Sequence, residues 1–220
     1  MINNSQIDLK VCGITSSKSI KIAAQKNIKT LGFASNNLLG PNTCDDEMLK
    51  ELIEECNEYK IETVLLSRYQ STLDLIKQID YTKPKTIACS YFFGKSELQT
   101  LKKVFKKLRI GISVNSERFN LNYLKSVVNL VNVFYYDLNI YSQNHIKTFS
   151  IHDCKDQILQ LKKFNKPIYI GGGINPENVQ LIIKKSKPNG LDISRGLKDN
   201  NNNLCENKVN KILEILYGVS

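Results

Sequence analysis

Apolar and polar residues follow two alternating periodicities along this chain. Short runs rich in Ile, Val, Leu, Tyr and Phe predict buried β-strands. Longer segments, in which apolar residues recur every three or four positions, predict amphipathic helices. The predicted strands cover residues 7–12, 29–34, 61–67, 85–90, 109–115, 131–137, 166–171 and 189–194. The predicted helices cover 16–27, 45–59, 71–79, 96–108, a short segment around 117–128, 154–164, 176–186 and 207–218.

The strict alternation of strands and helices predicts the fold class. Strand–helix–strand units are right-handed crossovers that build a parallel sheet. Eight such pairs in 220 residues fit a compact α/β fold, a single (β/α)8 TIM barrel. A doubly wound open sheet is the competitor, but it rarely uses eight pairs, and its GxGxxG and GxxxxGK[ST] fingerprints do not occur here. The polar run at 199–203 is interpreted as a loop, so one barrel domain is expected over residues 1–220.

Composition places the chain among ordinary folded proteins. Hydrophobic residues make up 41% and charged residues 24% of the sequence. No apolar stretch approaches the length that spans a bilayer, and the first ten residues carry no secretory signal pattern. We therefore expect a cytoplasmic protein without a membrane partner.

Cysteine and histidine usage argues against a metal site. The six cysteines show neither CxxC nor zinc-ligand spacing, so they are expected to be free thiols. Only two histidines are available as imidazole ligands, which makes a dedicated metal centre a poor hypothesis.

The formal net charge of +10 raises the question of a nucleic-acid partner. Nearly all of the positive charge is lysine, spread along helix faces, and aromatic residues do not interleave with it as in a base-stacking surface. No nucleic-acid partner is expected. The positive field instead favours a small anionic substrate, such as a phosphorylated one.

Two residues at predicted strand ends are candidates for proton transfer, because a (β/α)8 barrel places its chemistry at the carboxyl ends of the strands. Cys12 ends the first strand and Asp137 ends the sixth. A thiol in a positive environment can act as a base, and a partly desolvated carboxyl group can act as an acid. The alternatives are that Cys12 is a small core residue and that Asp137 caps the following loop.

Two glycine-containing loops predict a phosphate site. IGGGINPENV (170–179) follows the seventh strand and LDISRGL (191–197) contains the end of the eighth. Glycines allow backbone amides to approach an anion, and these two loops form the usual phosphate site of this architecture. A plain glycine turn before a helix would explain the first loop but not both.

The motifs KVCGIT (10–15), LGF (31–33), GGINPENV (172–179) and LDISRG (191–196), in this order, resemble the phosphoribosylanthranilate isomerase family of tryptophan biosynthesis. The resemblance extends over essentially the whole chain. It implies an isomerase that performs a cofactor-free Amadori rearrangement. The substrate would be N-(5-phosphoribosyl)anthranilate and the product 1-(o-carboxyphenylamino)-1-deoxyribulose 5-phosphate.

The resemblance also implies roles for individual residues. Cys12 matches the general base that removes the proton from ribose C2′. Asp137 matches the general acid that protonates the ring oxygen and opens the furanose. The residues that match the phosphate-binding backbone are Gly172, Gly173, Ile174, Ser194 and Gly196.

Three segments depart from the family pattern. Where the family carries a Ser-Pro-Arg-Tyr segment whose arginine holds the substrate carboxylate, residues 34–44 contain no arginine or lysine. The fourth strand ends in ACSYFFG (88–94) instead of Gln-Leu-His-Gly, and the loop at 138–153 has no glycine. A neutral loop cannot supply the charge-assisted bonds of a guanidinium.

Several alternatives therefore stay open for the aromatic end of the substrate. Arg68 or Lys147 could supply the missing charge, although Arg68 fits a solvated surface position equally well. Tyr91, Phe92 and Phe93 could stack on a ring or simply pack in the barrel. The substrate could also be another phosphorylated sugar, or the barrel could bind a phosphometabolite without turnover. In each case the protein is expected to be a monomer or a homodimer.

Overall fold

The computed structural model describes residues 7–38, 42–68, 71–89, 93–141 and 146–218. Eight strands alternate with eight helices in the predicted order. The strands are β1 (Asp8–Val11), β2 (Thr30–Ser35), β3 (Glu62–Ser67), β4 (Thr86–Cys89), β5 (Arg109–Val114), β6 (Val133–Asp137), β7 (Ile168–Gly171) and β8 (Gly190–Ile193). The helices are α1 (Ser17–Gln25), α2 (Asp46–Glu58), α3 (Thr72–Thr82), α4 (Lys95–Val104), α5 (Leu121–Val127), α6 (Lys155–Lys162), α7 (Val179–Ser186) and α8 (Glu206–Tyr217).

The eight strands form a closed parallel barrel. Each strand pairs in parallel with the next along the chain, and β8 returns to pair with β1. At the closure, Lys10 lies opposite Asp192 and Val11 lies opposite Ile193. The (β/α)8 barrel predicted from the alternation is thereby confirmed.

Side-chain caps explain where several helices begin. Ser16, Asp45, Ser71 and Asn120 each accept a hydrogen bond from the backbone N–H three residues later. Such caps satisfy amides that have no partner inside the helix. The apolar faces of the helices pack on the outside of the barrel and form, with it, one large core.

A second, smaller apolar cluster fills the barrel interior. Val64, Ala88, Val133 and Tyr135 form it, with Leu66 packed against it. Above this cluster, towards the carboxyl ends of β6, β8 and β1, the interior carries the polar side chains of Asp137, Asp192 and Lys10. The interior is therefore a packed base that supports a polar site.

The structure corrects several predicted element ends. The helix predicted at 96–108 ends at Val104, because Phe105 leaves helical geometry and the chain turns into β5. The helix predicted at 176–186 begins at Val179, because the Asn175 side chain accepts the amides of Glu177 and Asn178 in a preceding turn. Capping side chains and turns thus shorten helices that periodicity alone extends.

Short additional elements occur in the loops. Thr43–Cys44 extends the sheet beside β2, and Asn139–Tyr141 pairs antiparallel with Ile146–Thr148 in the loop predicted at 138–153. Short 3₁₀ helices occur at Asn36–Leu38, Val128–Leu130 and Arg195–Leu197. Among the helices within the described ranges, none has the length and apolar character needed to cross a membrane.

Candidate active site

A cavity of about 610 Å³ opens at the carboxyl ends of the strands. Every catalytic and phosphate-binding candidate from the sequence lines it. These residues are Cys12, Asp137, Gly172, Gly173, Ile174, Ser194 and Gly196. The cavity therefore brings together residues from near both ends of the chain.

Cys12 is the first residue after β1. Its backbone N–H donates to the carbonyl of Ile193 at 2.8 Å, and its side chain, although buried, belongs to neither apolar cluster. Burial raises the pKa of the Cys12 thiol, whereas the nearby ammonium groups of Lys10 and Lys198 act in the opposite direction. The positive charges that would favour a thiolate are present, but desolvation has the larger effect on the pKa of the thiol.

Asp137 is the last residue of β6. Its Oδ1 atom accepts the backbone N–H of Asn139 at 2.8 Å. Burial raises the pKa of Asp137 to about 6, against the lowering effect of that hydrogen bond. The carboxyl group can therefore hold a proton near neutral pH and release it to a substrate, as a general acid must.

Gly172 makes room for Asp137. Its φ of +92° lies in the left-handed region, and a Cβ at this position would collide with Asp137 Oδ1. The same Cβ would lie 2.7 Å from the amide nitrogens of Leu138 and Asn139. Only glycine fits this close approach between the β6 and β7 loops.

A buried ion pair, which the sequence reasoning missed, lies at the centre of the site. Lys10 Nζ donates to Asp192 Oδ1 at 2.7 Å, and the Lys10 side chain is 1% exposed. The ammonium group also lies 5.0 Å from the centroid of the Tyr135 ring. Although burial disfavours its charge, Asp192, Cys12 and Tyr135 together raise the pKa of Lys10. The available signal was a charged residue inside each of two apolar strands.

The strand register explains how these charges meet. Asp137 lies opposite Gly171, Gly171 opposite Asp192, and Asp192 opposite Lys10. These four residues therefore occupy one level of four neighbouring strands. Gly171 places no side chain between the two carboxylates, so the cavity reaches down between them.

The two glycine loops contact each other directly. Gly173 has a φ of +69°, and its carbonyl accepts the Asn178 side-chain amide at 2.9 Å. Gly196, from the loop after β8, packs so closely on the carbonyl of Ile174 that a Cβ would clash with it. Together the loops form one concave backbone surface, which is typical of an anion site.

The two candidates for the missing positive charge, Arg68 and Lys147, lie outside the cavity lining. Arg68 is exposed and does not line the cavity, and its backbone N–H donates to Asn37 Oδ1 at 3.1 Å. Lys147 is exposed over the Phe149 ring, 4.6 Å from its centroid, and does not line the cavity either. Arg118 and Arg195 do line it.

Only one of the three aromatic candidates after β4 lies within the described residues. Tyr91 and Phe92 lie outside the described residues. Phe93 is fully buried in the main core, where its carbonyl accepts the Tyr123 hydroxyl at 2.6 Å. It therefore packs in the protein interior and does not line the cavity.

Among the residues that the structure describes, no group of three or more His, Cys, Asp or Glu side chains is arranged to hold a metal ion. The six cysteines are free thiols, as expected, and four of those other than Cys12 are buried.

Part of the chain matches a known family, and most of it aligns with curated proteins. The family model described as N-(5′phosphoribosyl)anthranilate (PRA) isomerase matches residues 153–214. N-(5′-phosphoribosyl)anthranilate isomerase 2 of Methanosarcina mazei is 24% identical over 210 residues, covering 91% of this chain and 90% of that protein. N-(5′-phosphoribosyl)anthranilate isomerase of Pyrococcus furiosus is 28% identical over 196 residues, covering 86% and 88%.

Solved structures share the fold. The structure of N-(5′-phosphoribosyl)anthranilate isomerase from Pyrococcus furiosus superposes with a TM-score of 0.77 at 22% identity, covering 97% of this chain and 100% of that one. The family-model match and the relatives that align along most of both chains show that this chain is similar to phosphoribosylanthranilate isomerases.

Proposed function

We propose that this protein isomerises N-(5′-phosphoribosyl)anthranilate to 1-(o-carboxyphenylamino)-1-deoxyribulose 5-phosphate in tryptophan biosynthesis, without a cofactor. One observation carries the proposal. A base candidate, an acid candidate and an anion-binding surface line the same cavity. The similarity to curated phosphoribosylanthranilate isomerases supports the same reaction.

The phosphate group is proposed to bind between the two glycine loops. Gly172, Gly173 and Ile174 offer backbone on one side, and Ser194 and Gly196 offer backbone and a hydroxyl on the other. Backbone amides without bulky side chains can surround phosphate oxygens closely. Binding here would place the ribose above Asp137 and Cys12.

Ring opening is the first proposed step. Asp137 donates its proton to the furanose ring oxygen while the C1′–O bond breaks and its electron pair stays on that oxygen. The nitrogen lone pair forms the C1′=N bond of a protonated Schiff base. A carboxyl group whose pKa is raised to about 6 by burial suits this role, because a useful fraction carries the proton.

Proton abstraction is the second step. The Cys12 thiolate takes the proton from C2′, and the C2′–H electron pair forms the C1′=C2′ bond while the C1′=N electrons return to nitrogen. The resulting enolamine then loses its hydroxyl proton and gains one at C1′, which gives the ketone. Atoms and electrons balance within the substrate, so no redox partner is needed.

The aromatic ring is proposed to lie against the opposite side of the cavity. The cavity-lining residues described from β2, β3, β4 and the loop after β2 are uncharged: Ala34, Leu38, Asn42, Thr43, Leu66 and Ala88. This side offers apolar contact and no charge for the carboxylate. Arg195 lies between two residues of the proposed phosphate surface, so we assign the carboxylate to Arg118, which lines the cavity from the loop after β5.

Turnover of the named substrate tests the proposal. Phosphoribosylanthranilate is generated in situ, and the loss of its fluorescence is followed with the wild type, Cys12→Ala and Asp137→Asn. Turnover that both substitutions abolish would support the isomerase. A folded wild type without turnover would contradict it, and binding of phosphorylated sugars would then separate another substrate from a non-catalytic binding role.

Other expectations from the sequence stay predictions. They are a cytoplasmic location, the lack of a nucleic-acid partner, and a monomeric or homodimeric state.

A further inference from the structure

Two lysines next to the site are buried, which is rare for an ammonium group without a specific partner. Lys10 is 0% exposed and Lys198 is 4% exposed. The proton transfers described above use neither side chain. Both lie beside Cys12, one reaching it from inside the barrel and the other from the segment that follows β8.

The side chains of Lys10 and Cys12 both lie against Gly32. A Cβ on Gly32 would lie 2.8 Å from both Cys12 Sγ and Lys10 Nζ, so the two atoms share the space above this glycine. The positive charge of Lys10 lowers the pKa of the Cys12 thiol. This charge, however, is already matched by the carboxylate of Asp192 at 2.7 Å.

Lys198 approaches from the other side. Its Nζ donates to the carbonyl of Gly13, the residue that follows Cys12. A Cβ on Gly13 would lie 3.2 Å from Lys198 Nζ and 3.1 Å from Ser194 Oγ. The ammonium group is therefore held beside the turn that carries the thiol.

The charges around Cys12 do not balance while it is a thiol. The ion pairs formed within the described ranges are Lys10–Asp192 and Lys26–Glu206, so no described carboxylate pairs with Lys198. The groups that act electrostatically on the thiol are Lys10, Asp192 and Lys198, and the Tyr135 hydroxyl also interacts with it. Two positive charges and one negative charge leave the charge of Lys198 unmatched. Because an isolated buried charge is costly, burial lowers the pKa of Lys198, against the opposite effect of Cys12 and Cys44.

We propose that the thiolate of Cys12 is the anion that this cluster lacks: Lys10 donates a hydrogen bond to the sulfur, and Lys198 is a positioning residue whose charge balances the thiolate. The inference rests on the role proposed for Cys12 as the base. Both lysines lower the pKa of the thiol, against burial and Asp192. Removing the Lys198 charge would leave the thiolate buried with one counter-charge already used by Asp192.

The test measures Cys12 directly. The rate of its alkylation by iodoacetamide is followed from pH 6 to 11 by peptide mass spectrometry, which separates Cys12 from the other five cysteines. In Lys198→Gln, which keeps a donor for the Gly13 carbonyl but removes the charge, the midpoint is expected to rise by about one pH unit or more. In Lys198→Arg, which keeps the charge, it should stay near the wild-type value.

Two further variants sharpen the result. Lys198→Met repeats the loss of charge with a different shape, in case Lys198→Gln does not fold. Lys208→Met removes an exposed ammonium that donates to the Lys198 carbonyl at 2.7 Å, and it is expected to leave the midpoint unchanged. A folded Lys198→Gln or Lys198→Met with the wild-type midpoint would overturn the proposal.

Kinetics separate this inference from the proposed function. Lys198→Gln is expected to lower kcat about tenfold while KM changes less than about threefold, since a charge that acts through the base does not touch the phosphate. A shifted midpoint in a protein without isomerase activity would support the charge role and contradict only the isomerase. An unshifted midpoint in an active enzyme would contradict only the charge role.

Discussion

The two sides of the cavity differ in chemistry. The side built by β6, β7, β8 and β1 contributes Asp137, Asp192, Lys10 and Cys12 and carries both glycine loops. The side built by β2, β3, β4 and the loop after β2 contributes uncharged residues in the described ranges, such as Ala34, Leu66 and Ala88. We call them the charged side and the neutral side.

This difference coincides with the pattern of the sequence motifs. Three of the four motifs that resemble the family lie on the charged side, and only LGF lies on the neutral side. Of the three segments that depart from the family pattern, the two at 34–44 and 88–94 belong to the neutral side. Proton transfer and phosphate binding need particular atoms at particular places, so few residues serve. An aromatic ring needs apolar surface, which many residues provide. The neutral side can therefore diverge while the charged side keeps its pattern.

The largest effect is expected from removing the base on the charged side. Cys12→Ala should lower kcat about 10³-fold, because a positioned base contributes about 10²–10⁴-fold. Since Cys12 lies outside the apolar clusters, the melting temperature of the variant should differ from that of the wild type by only a few degrees. Turnover assays and thermal unfolding of Cys12→Ala measure both effects. A loss of stability without a loss of activity would show that Cys12 is a packing residue and not the base.

A like charge at the phosphate surface is expected to have the next largest effect. Ser194→Asp should raise KM about 30- to 100-fold, because a carboxylate beside phosphate repels it. Ser194→Ala removes only the hydroxyl and should raise KM less than about tenfold. An unchanged KM in Ser194→Asp would remove the phosphate from this loop.

Stability against pH tests the burial of Asp137. The folded-state pKa is raised to about 6 from an ordinary value of 3.8, so the folded protein binds the extra proton between these values. Stability is therefore lost as the pH rises from about 4 through 6. Asp137→Asn, which keeps the acceptor for Asn139, should raise the free energy of unfolding at pH 8 by about 1–3 kcal/mol and leave it nearly unchanged at pH 4.

Urea denaturation of both proteins at the two pH values measures this difference. Equal stability gains at pH 4 and pH 8 would show that the carboxyl group is not desolvated. The same variant is expected to lose turnover, so the charged side would trade stability for chemistry.

The smallest effects concern the arginines near the neutral side. Arg118→Gln should raise KM for phosphoribosylanthranilate about tenfold, because it removes a charged hydrogen-bonding partner of the carboxylate. Arg68→Gln, which alters an exposed side chain outside the cavity lining, should change KM less than twofold. The phosphoribosyl derivative of aniline lacks the carboxylate, so the KM for this analogue should be insensitive to both substitutions.

A KM for phosphoribosylanthranilate that depends on Arg68 and not on Arg118 would reverse this assignment. It would also show that the β3 loop reaches the cavity when substrate is bound.

Much of the fold could be predicted from periodicity, because the spacing of apolar residues within each segment shows which face of the element is buried. The eight strands and eight helices occur in the predicted order, and their ends differ by a few residues where a side chain such as Asn175 forms a turn. Cys12 and Asp137 were predicted as site residues because they end predicted strands, and both line the cavity. Their chemical roles stay predictions until the variants are measured.

The part of the site that the sequence did not predict depends on long-range contacts. Lys10 and Asp192 lie 182 positions apart, and a charged residue within a strand fits a solvated position equally well. The distinction between Arg68 outside the cavity and Arg118 inside it likewise depends on where each loop turns, which no local pattern reports.

By itself, the amino-acid sequence determined the order and type of the elements, the positions of the glycine loops and the residues at the strand ends, because these follow from local periodicity and backbone freedom. Only the tertiary structure decided which charges share the buried centre. Closing β8 onto β1 sets the register that joins Lys10 to Asp192 and holds Lys198 beside Cys12. Such pairing is decided by non-local burial, where desolvation makes a charge depend on the partners that the fold brings to it.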